Sequence, residues 1–167
     1  MTDGVPVVRR ADESDLDTIA ALAEMKRVQY ESYQPVFHRR AVHALADHRA
    51  YLRTLLGKEG TLLLVAEQHG RVTGFIFAAV VSAPSVYDPQ GGICFIDDFM
   101  VEDPSLWPTT GRALAQDAFD GARSLGAVLA NVVCGPRDAP KRALLGTLGF
   151  EVGSEWHLRP LDEINKG

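Results

Sequence analysis

Residues 93–134 constrain the fold more than any other part of the chain. An apolar, β-prone run at 93–101 is followed by a helical segment at 111–125, in which Leu114, Ala118, Ala122 and Leu125 share one stripe. A second β-prone run, 127–134, follows at once, with Gly126 between them where a left-handed residue closes a helix. A strand, a crossover helix and a strand joined this tightly predict two parallel strands with a right-handed crossover in one sheet. The expectation is therefore an α/β fold.

The remaining elements read as antiparallel neighbours. Residues 61–67 and 72–81 are apolar runs joined by Gln68-His69-Gly70-Arg71, which predicts a hairpin whose strands are buried on both faces. A short strand at 5–8 precedes a helix opened by Ser14 and Asp17 as a capping box, with Leu16, Ile19, Ala20 and Ala23 at helical spacing. Val42, Leu45, Arg49, Leu52 and Leu56 predict a second helix, closed by Gly57 and Gly60, and leave 30–40 as an aromatic- and histidine-rich connector. Asp138 as N-cap and Pro140 in the first turn open a last helix that ends at Gly149, and 156–159 reads as a final strand. The predicted order is β-α-α-β-β-β-α-β-α-β. With no internal repeat and no linker-like tract, residues 1–167 read as one domain.

Composition narrows the function classes. The formal charge of −5, from 17 basic and 22 acidic side chains, argues against a non-specific nucleic-acid binder, whose footprint is basic. An anionic ligand would then need local devices such as the N–H groups of a helix start. No run approaches the ~18 apolar residues of a membrane span and none at the start resembles a secretory leader, so a cytoplasmic protein with no membrane partner is expected. Cys94 and Cys134 match neither a disulfide framework nor a zinc pattern; both are expected as reduced thiols, and no metal is expected.

Several local sequences, in this order, resemble the GNAT N-acetyltransferase superfamily across nearly the whole chain. Arg9-Arg10-Ala11-Asp12 leading into Asp15 and Ile19 is similar to the family's opening, and Val65-Ala66-Glu67 through Gly70-Arg71-Val72 to Gly74-Phe75 to its central hairpin. Phe95-Ile96-Asp97-Asp98-Phe99-Met100-Val101 resembles the fourth strand, and Leu148-Gly149-Phe150 the close of the last helix. The family's Gln/Arg-x-x-Gly-x-Gly/Ala signature aligns with Pro108-Thr109-Thr110-Gly111-Arg112-Ala113, with Pro108 in place of the leading Gln/Arg. The resemblance implies a mixed, mostly antiparallel sheet flanked by helices, with strands 4 and 5 parallel and splayed.

It also implies acetyl-CoA as co-substrate and direct transfer of the acetyl group to an amine. Thr109, Thr110, Gly111, Arg112 and Ala113 would hold the pyrophosphate at the start of the central helix, Gly111 by letting the backbone approach closely. Phe99, Met100 and Val101 would present the strand backbone to the pantetheine arm in the splay. Asp97 would be the base, with Asp98 as second candidate. Period-2 alternation puts Asp97 on the face of Phe95 and Phe99 and Asp98 opposite, and a bulge would reverse that parity.

The family often places a tyrosine, as acid for the departing thiolate, four residues before the glycine of the last helix. Here that position is Leu145, and Cys134, Tyr87 and His157 are conceivable substitutes. The acceptor site falls among Tyr30, Tyr33, Phe37, His38, His43, Tyr87, Trp156 and His157, of which Tyr30, Tyr33, Tyr87 and His157 are the leading candidates. The acceptor would be a small-molecule or peptide amine, and a homodimer follows only from analogy of fold. Because Pro108 and Leu145 depart from the pattern, a module that binds acyl-CoA or a metabolite without turnover stays open beside the enzyme, as does a scaffold that binds only a protein partner.

Overall fold

The computed structural model describes residues 4–161. Its elements are β1 Val7–Arg10, α1 Leu16–Tyr33, α2 Ala44–Leu55, β2 Thr61–Gln68, β3 Arg71–Val81, β4 Gly92–Val101, α3 Arg112–Ser124, β5 Ala127–Val132 and α4 Ala139–Thr147. The five strands form one sheet in sequence order. Neighbours are antiparallel except β4 and β5, which are parallel across the α3 crossover. The α/β expectation and its mixed, mostly antiparallel sheet are met.

Strand alternation sorts the core into two layers. Leu62, Leu64, Ala66, Ile76, Ala78, Cys94, Ile96, Phe99 and Val101 pack beneath α3 and α4, whose Leu114, Ala118, Ala122 and Leu144 complete that layer. Leu63, Val65, Phe75 and Phe77 face the other way, against Leu16, Ile19, Ala20, Ala23, Leu52 and Leu55 of α1 and α2. Residues i and i+1 of the hairpin therefore serve opposite layers, which explains its unbroken apolar runs. His69 (φ 52°) and Gly70 (φ 73°) turn the hairpin in the left-handed geometry that its twist requires.

Four local expectations are corrected. The capping box is Asp12 with Asp15, not Ser14 with Asp17. Asp12 Oδ1 accepts from the Ser14 N–H at 2.8 Å, while buried Asp15 receives both Arg9 Nη1 and Nη2. The first strand begins at Val7, two residues later than expected, leaving Val5 86 % exposed. In α2 only Leu52 and Leu55 are buried, whereas Val42, at 94 % exposure, lies before the helix. The expected strand at 156–159 does not form: residues 150–160 run without strand pairing, and β5 is the edge of the sheet.

Candidate active site at the parting of β4 and β5

The parallel pair is short. Its register runs to Ile96 opposite Val132, and the last bond joins the Val133 N–H to the Ile96 carbonyl at 3.2 Å. From Asp97 onward β4 pairs only with β3. The parting coincides with a β-bulge: Asp98 opposes Phe77 while Ile96 opposes Ala78, so Asp97 is the extra residue.

The bulge reverses the parity of the strand. Cys94 and Ile96 before it, and Phe99 and Val101 after it, all enter the layer beneath α3 and α4. Asp97 therefore does not alternate with Phe95 and Phe99 on one face, and Asp98 turns toward α1 and α2. There its carboxylate meets Lys26 Nζ at 2.9 Å and His48 Nε2 at 3.0 Å, and Lys26 also donates to the Asp97 carbonyl. Arg27 Nη1 lies 3.2 Å from His48 Nδ1, which makes Nδ1 the acceptor and Nε2 the donor to Asp98. Burial pushes the Asp98 carboxyl up, but the His48 and Lys26 contacts more than offset it and hold the group well below the usual carboxylate range. Asp98 is thus a fixed anion that pins the bulge. Asp97 is exposed, and among the described residues its carboxylate has no partner.

The approach to α3 departs from the loop expected for it. Asp103 caps a 3₁₀ turn at Pro104–Leu106 by accepting from the Ser105 N–H, and the backbone continues through a π turn at Trp107–Gly111 directly into α3. Gly111 lies inside this helical run at φ −60°, and its buried position serves packing: a Cβ there would stand 2.7 Å from Trp107 Cε3 and 3.0 Å from Leu144 Cδ2. The Arg112 N–H is already bonded to the Trp107 and Thr109 carbonyls. Thr110 is fully buried against Gly74, whereas Thr109, Arg112 and Ala113 line a shallow cleft with Pro108, Gln116 and Gln68. Arg112 also donates to Thr147 Oγ1 of α4 at 2.7 Å.

Where β4 and β5 separate, one side chain joins them. Lys141, 1 % exposed, reaches from α4 so that its Nζ donates to the Val133 carbonyl at 3.0 Å and the Phe99 carbonyl at 3.3 Å. The same ammonium lies 5.4 Å from the centre of the Phe99 ring and 5.8 Å from that of Trp107, two rings that meet edge to face. Burial lowers its pKa from 10.5 to about 8. The sequence reading missed Lys141. Its only signal was a lysine three residues after the Asp138 cap, on the turn preceding Leu145.

Tyr30 closes the far side of this opening. Its hydroxyl donates to Asp138 Oδ2 at 2.9 Å and accepts the Gly135 N–H at 3.1 Å, tying α1 to the cap of α4. Burial holds that hydroxyl above its usual range. Tyr33 is gathered with it, the two rings lying 5.8 Å apart, whereas Tyr87 and His157 are not. Tyr33 is half-buried and accepts from Gln29, Tyr87 is 72 % exposed in the β3–β4 connection, and His157 is exposed beside Glu155. Phe37 and Trp156 meet edge to face at 5.8 Å, and His38 bridges Phe37 to Tyr30. Cys94 and Cys134 are both free thiols. Among the described residues no cluster of His, Cys, Asp and Glu could hold a metal ion, and no helix is long and apolar enough to cross a membrane.

No protein-family model matches the chain, and no curated protein matches it in sequence. Solved structures do. A mutant of the BH1408 protein from Bacillus halodurans superposes with a TM-score of 0.81 at 14 % identity, covering 93 % of this chain and 99 % of that one. A predicted acetyltransferase with acetyl-CoA from Clostridium acetobutylicum gives 0.72 at 16 % identity, over 96 % and 99 %. The aminoglycoside N-acetyltransferase AAC(6′)-Iy in complex with CoA gives 0.71 at 15 % identity, over 96 % and 97 %. These likenesses define an α/β sheet with one parallel pair in a mostly antiparallel context. It is the fold of the GNAT acetyltransferases.

Proposed function

We propose that this chain is an acetyl-CoA-dependent N-acetyltransferase that works by direct attack of a small-molecule or peptide amine on the thioester. The observation that carries the reading is the opening of the β4–β5 pair at the Asp97 bulge, on the strand whose Phe99 packs against Trp107 in the turn leading into α3. From that point β4 has a backbone edge not used by β5, which suits an extended amide-bearing arm that adds like a strand. Residues Phe99, Met100 and Val101 supply this edge. The exposed Thr109 and the half-buried Arg112 at the helix start, with small Ala113 beside them, suit a pyrophosphate. Thr110 and Gly111 support it from within the core.

Asp97 is the proton acceptor in this reading, because it is the accessible carboxylate at the parting. A protonated amine gives up one proton to Asp97, the neutral nitrogen attacks the thioester carbonyl, and as the carbon–sulfur bond breaks the sulfur leaves with the electron pair while the nitrogen loses its second proton through Asp97 to solvent. Asp98 cannot share the role while Lys26 and His48 hold it, so it positions the bulge. AAC(6′)-Iy, of the same fold, is bound to CoA in one structure and to a CoA-linked acetylneamine bisubstrate analog in another, which is consistent with an amine acceptor here.

One observation favours a second reading. The segment before α3 is wound helically and packs its glycine against Trp107, which fits a module that binds an acyl-CoA or another metabolite without turnover. Isothermal titration with acetyl-CoA, followed by a coenzyme A release assay over a panel of amines, separates the two. Binding with amine-dependent release supports the enzyme. Binding without release across the panel selects the non-catalytic module.

A further inference from the structure

We propose that Lys141 is the group that receives the departing coenzyme A sulfur, stabilising it as a thiolate and passing it a proton. The inference rests on the acetyltransferase reading above and assigns the role that Leu145 cannot fill. Lys141 precedes Leu145 by one helical turn, so the two lie on the same face of α4. Of this pair only Lys141 carries a proton into the opening.

Its setting is that of a held cation without a counter-ion. Two N–H groups of Nζ are taken by the Phe99 and Val133 carbonyls, one from β4 and one from the residue just after β5, and the Phe99 and Trp107 rings present their faces to the charge. The third N–H has no partner among the described residues, and no carboxylate lies within ion-pair distance. The charged and titratable groups around it are Asp98 of β4, Lys26 of α1, Cys134 after β5 and Asp138 at the start of α4. A desolvated, uncompensated ammonium favours any anion that develops beside it, and breaking the thioester develops one on sulfur.

The step balances without another reactant. As the amine nitrogen bonds to the acetyl carbon, the carbon–sulfur pair leaves on sulfur and an Nζ proton moves to it, giving the thiol of coenzyme A and a neutral Lys141 amine. Solvent returns that proton when the products leave, and the two protons removed from the acceptor nitrogen, one before attack and one as the amide forms, depart in turn through Asp97 to solvent.

The test needs no acceptor. Coenzyme A bound to the full chain is titrated by thiolate ultraviolet absorbance, as the difference from the same protein with desulfo-coenzyme A, so that Cys94 and Cys134 cancel. In the wild type the bound thiol should ionise at least about one pH unit below its ordinary value of about 8.5. In Lys141→Met the bound thiol should ionise at or above that value. Lys141→Gln serves if the Met variant does not fold. Equal titration in wild type and variant, an unlowered thiol in the wild type, or loss of coenzyme A binding in both variants would overturn the proposal while leaving the acetyltransferase reading in place. Failure of the wild type to bind coenzyme A at all would overturn both.

Discussion

At the scale of the residue, two side chains separate cleanly into a mobile charge and a fixed one. Asp97→Asn should lower kcat/KM for an accepted amine by about 10² while leaving acetyl-CoA affinity unchanged, since general-base catalysis contributes on that order. Asp98→Asn should act on the fold instead. It leaves Lys26 and His48 without their anion, and denaturant unfolding should report a loss of about 1–3 kcal/mol. An Asp98→Asn variant as stable as wild type would show that the network does not hold the bulge. Lys141 adds a dependence on pH. Its folded pKa of about 8 lies below the 10.5 of the exposed side chain. Below pH 8 both states carry the proton and the buried charge costs about 3 kcal/mol. Between pH 8 and 10.5 the folded state sheds it first, so stability rises with pH. Lys141→Met should therefore be more stable than wild type at pH 7, with a margin that shrinks by pH 10 in paired unfolding measurements; a constant margin would contradict this. If Lys141 protonates the leaving sulfur, kcat should fall as pH rises through about 8.

At the scale of the element, the helical run from Pro104 into α3 decides how its glycine is read. Gly111 stands where Trp107 and Leu144 crowd it, at a φ that any residue adopts. Gly111→Ala should gain about 1 kcal/mol of helix propensity and lose about 1–3 kcal/mol to overpacking. A net loss in equilibrium unfolding is the expected result, and a stabilised variant would refute the packing role. Much of the fold was legible because the pattern is local. The unbroken apolar run from Leu62 to Ala66, the Gln68-His69-Gly70-Arg71 turn and the 93–134 crossover each carry their signal in contiguous sequence. The bulge at Asp97 was foreseen only as a condition, since strand register depends on the partner strand. The missing strand at 156–159 shows the opposite limit, because a β-prone sequence forms no strand without a neighbour to pair with. Lys141 was invisible for a similar reason: its partners are main-chain carbonyls at 99 and 133, which carry no residue-type signature.

At the scale of the whole molecule, the two layers meet at the opening. Tyr30 from the α1 layer and Lys141 from the α4 layer converge on the turn between β5 and α4, so a ligand seated there would bind only the folded chain. A ligand of that kind stabilises by RT ln(1 + [L]/Kd), about 2.7 kcal/mol at a hundredfold excess over Kd, or roughly 5–10 °C in Tm for a domain of this size. The measurement that tests the central claim most directly is a thermal-unfolding titration of the wild-type chain with acetyl-CoA, run beside Ala113→Glu, which places an anion at the exposed start of α3. The account predicts a Tm that climbs with acetyl-CoA concentration in the wild type and a strongly weakened response in the variant. An unchanged wild-type Tm at millimolar acetyl-CoA, or an equal climb in both proteins, would contradict it.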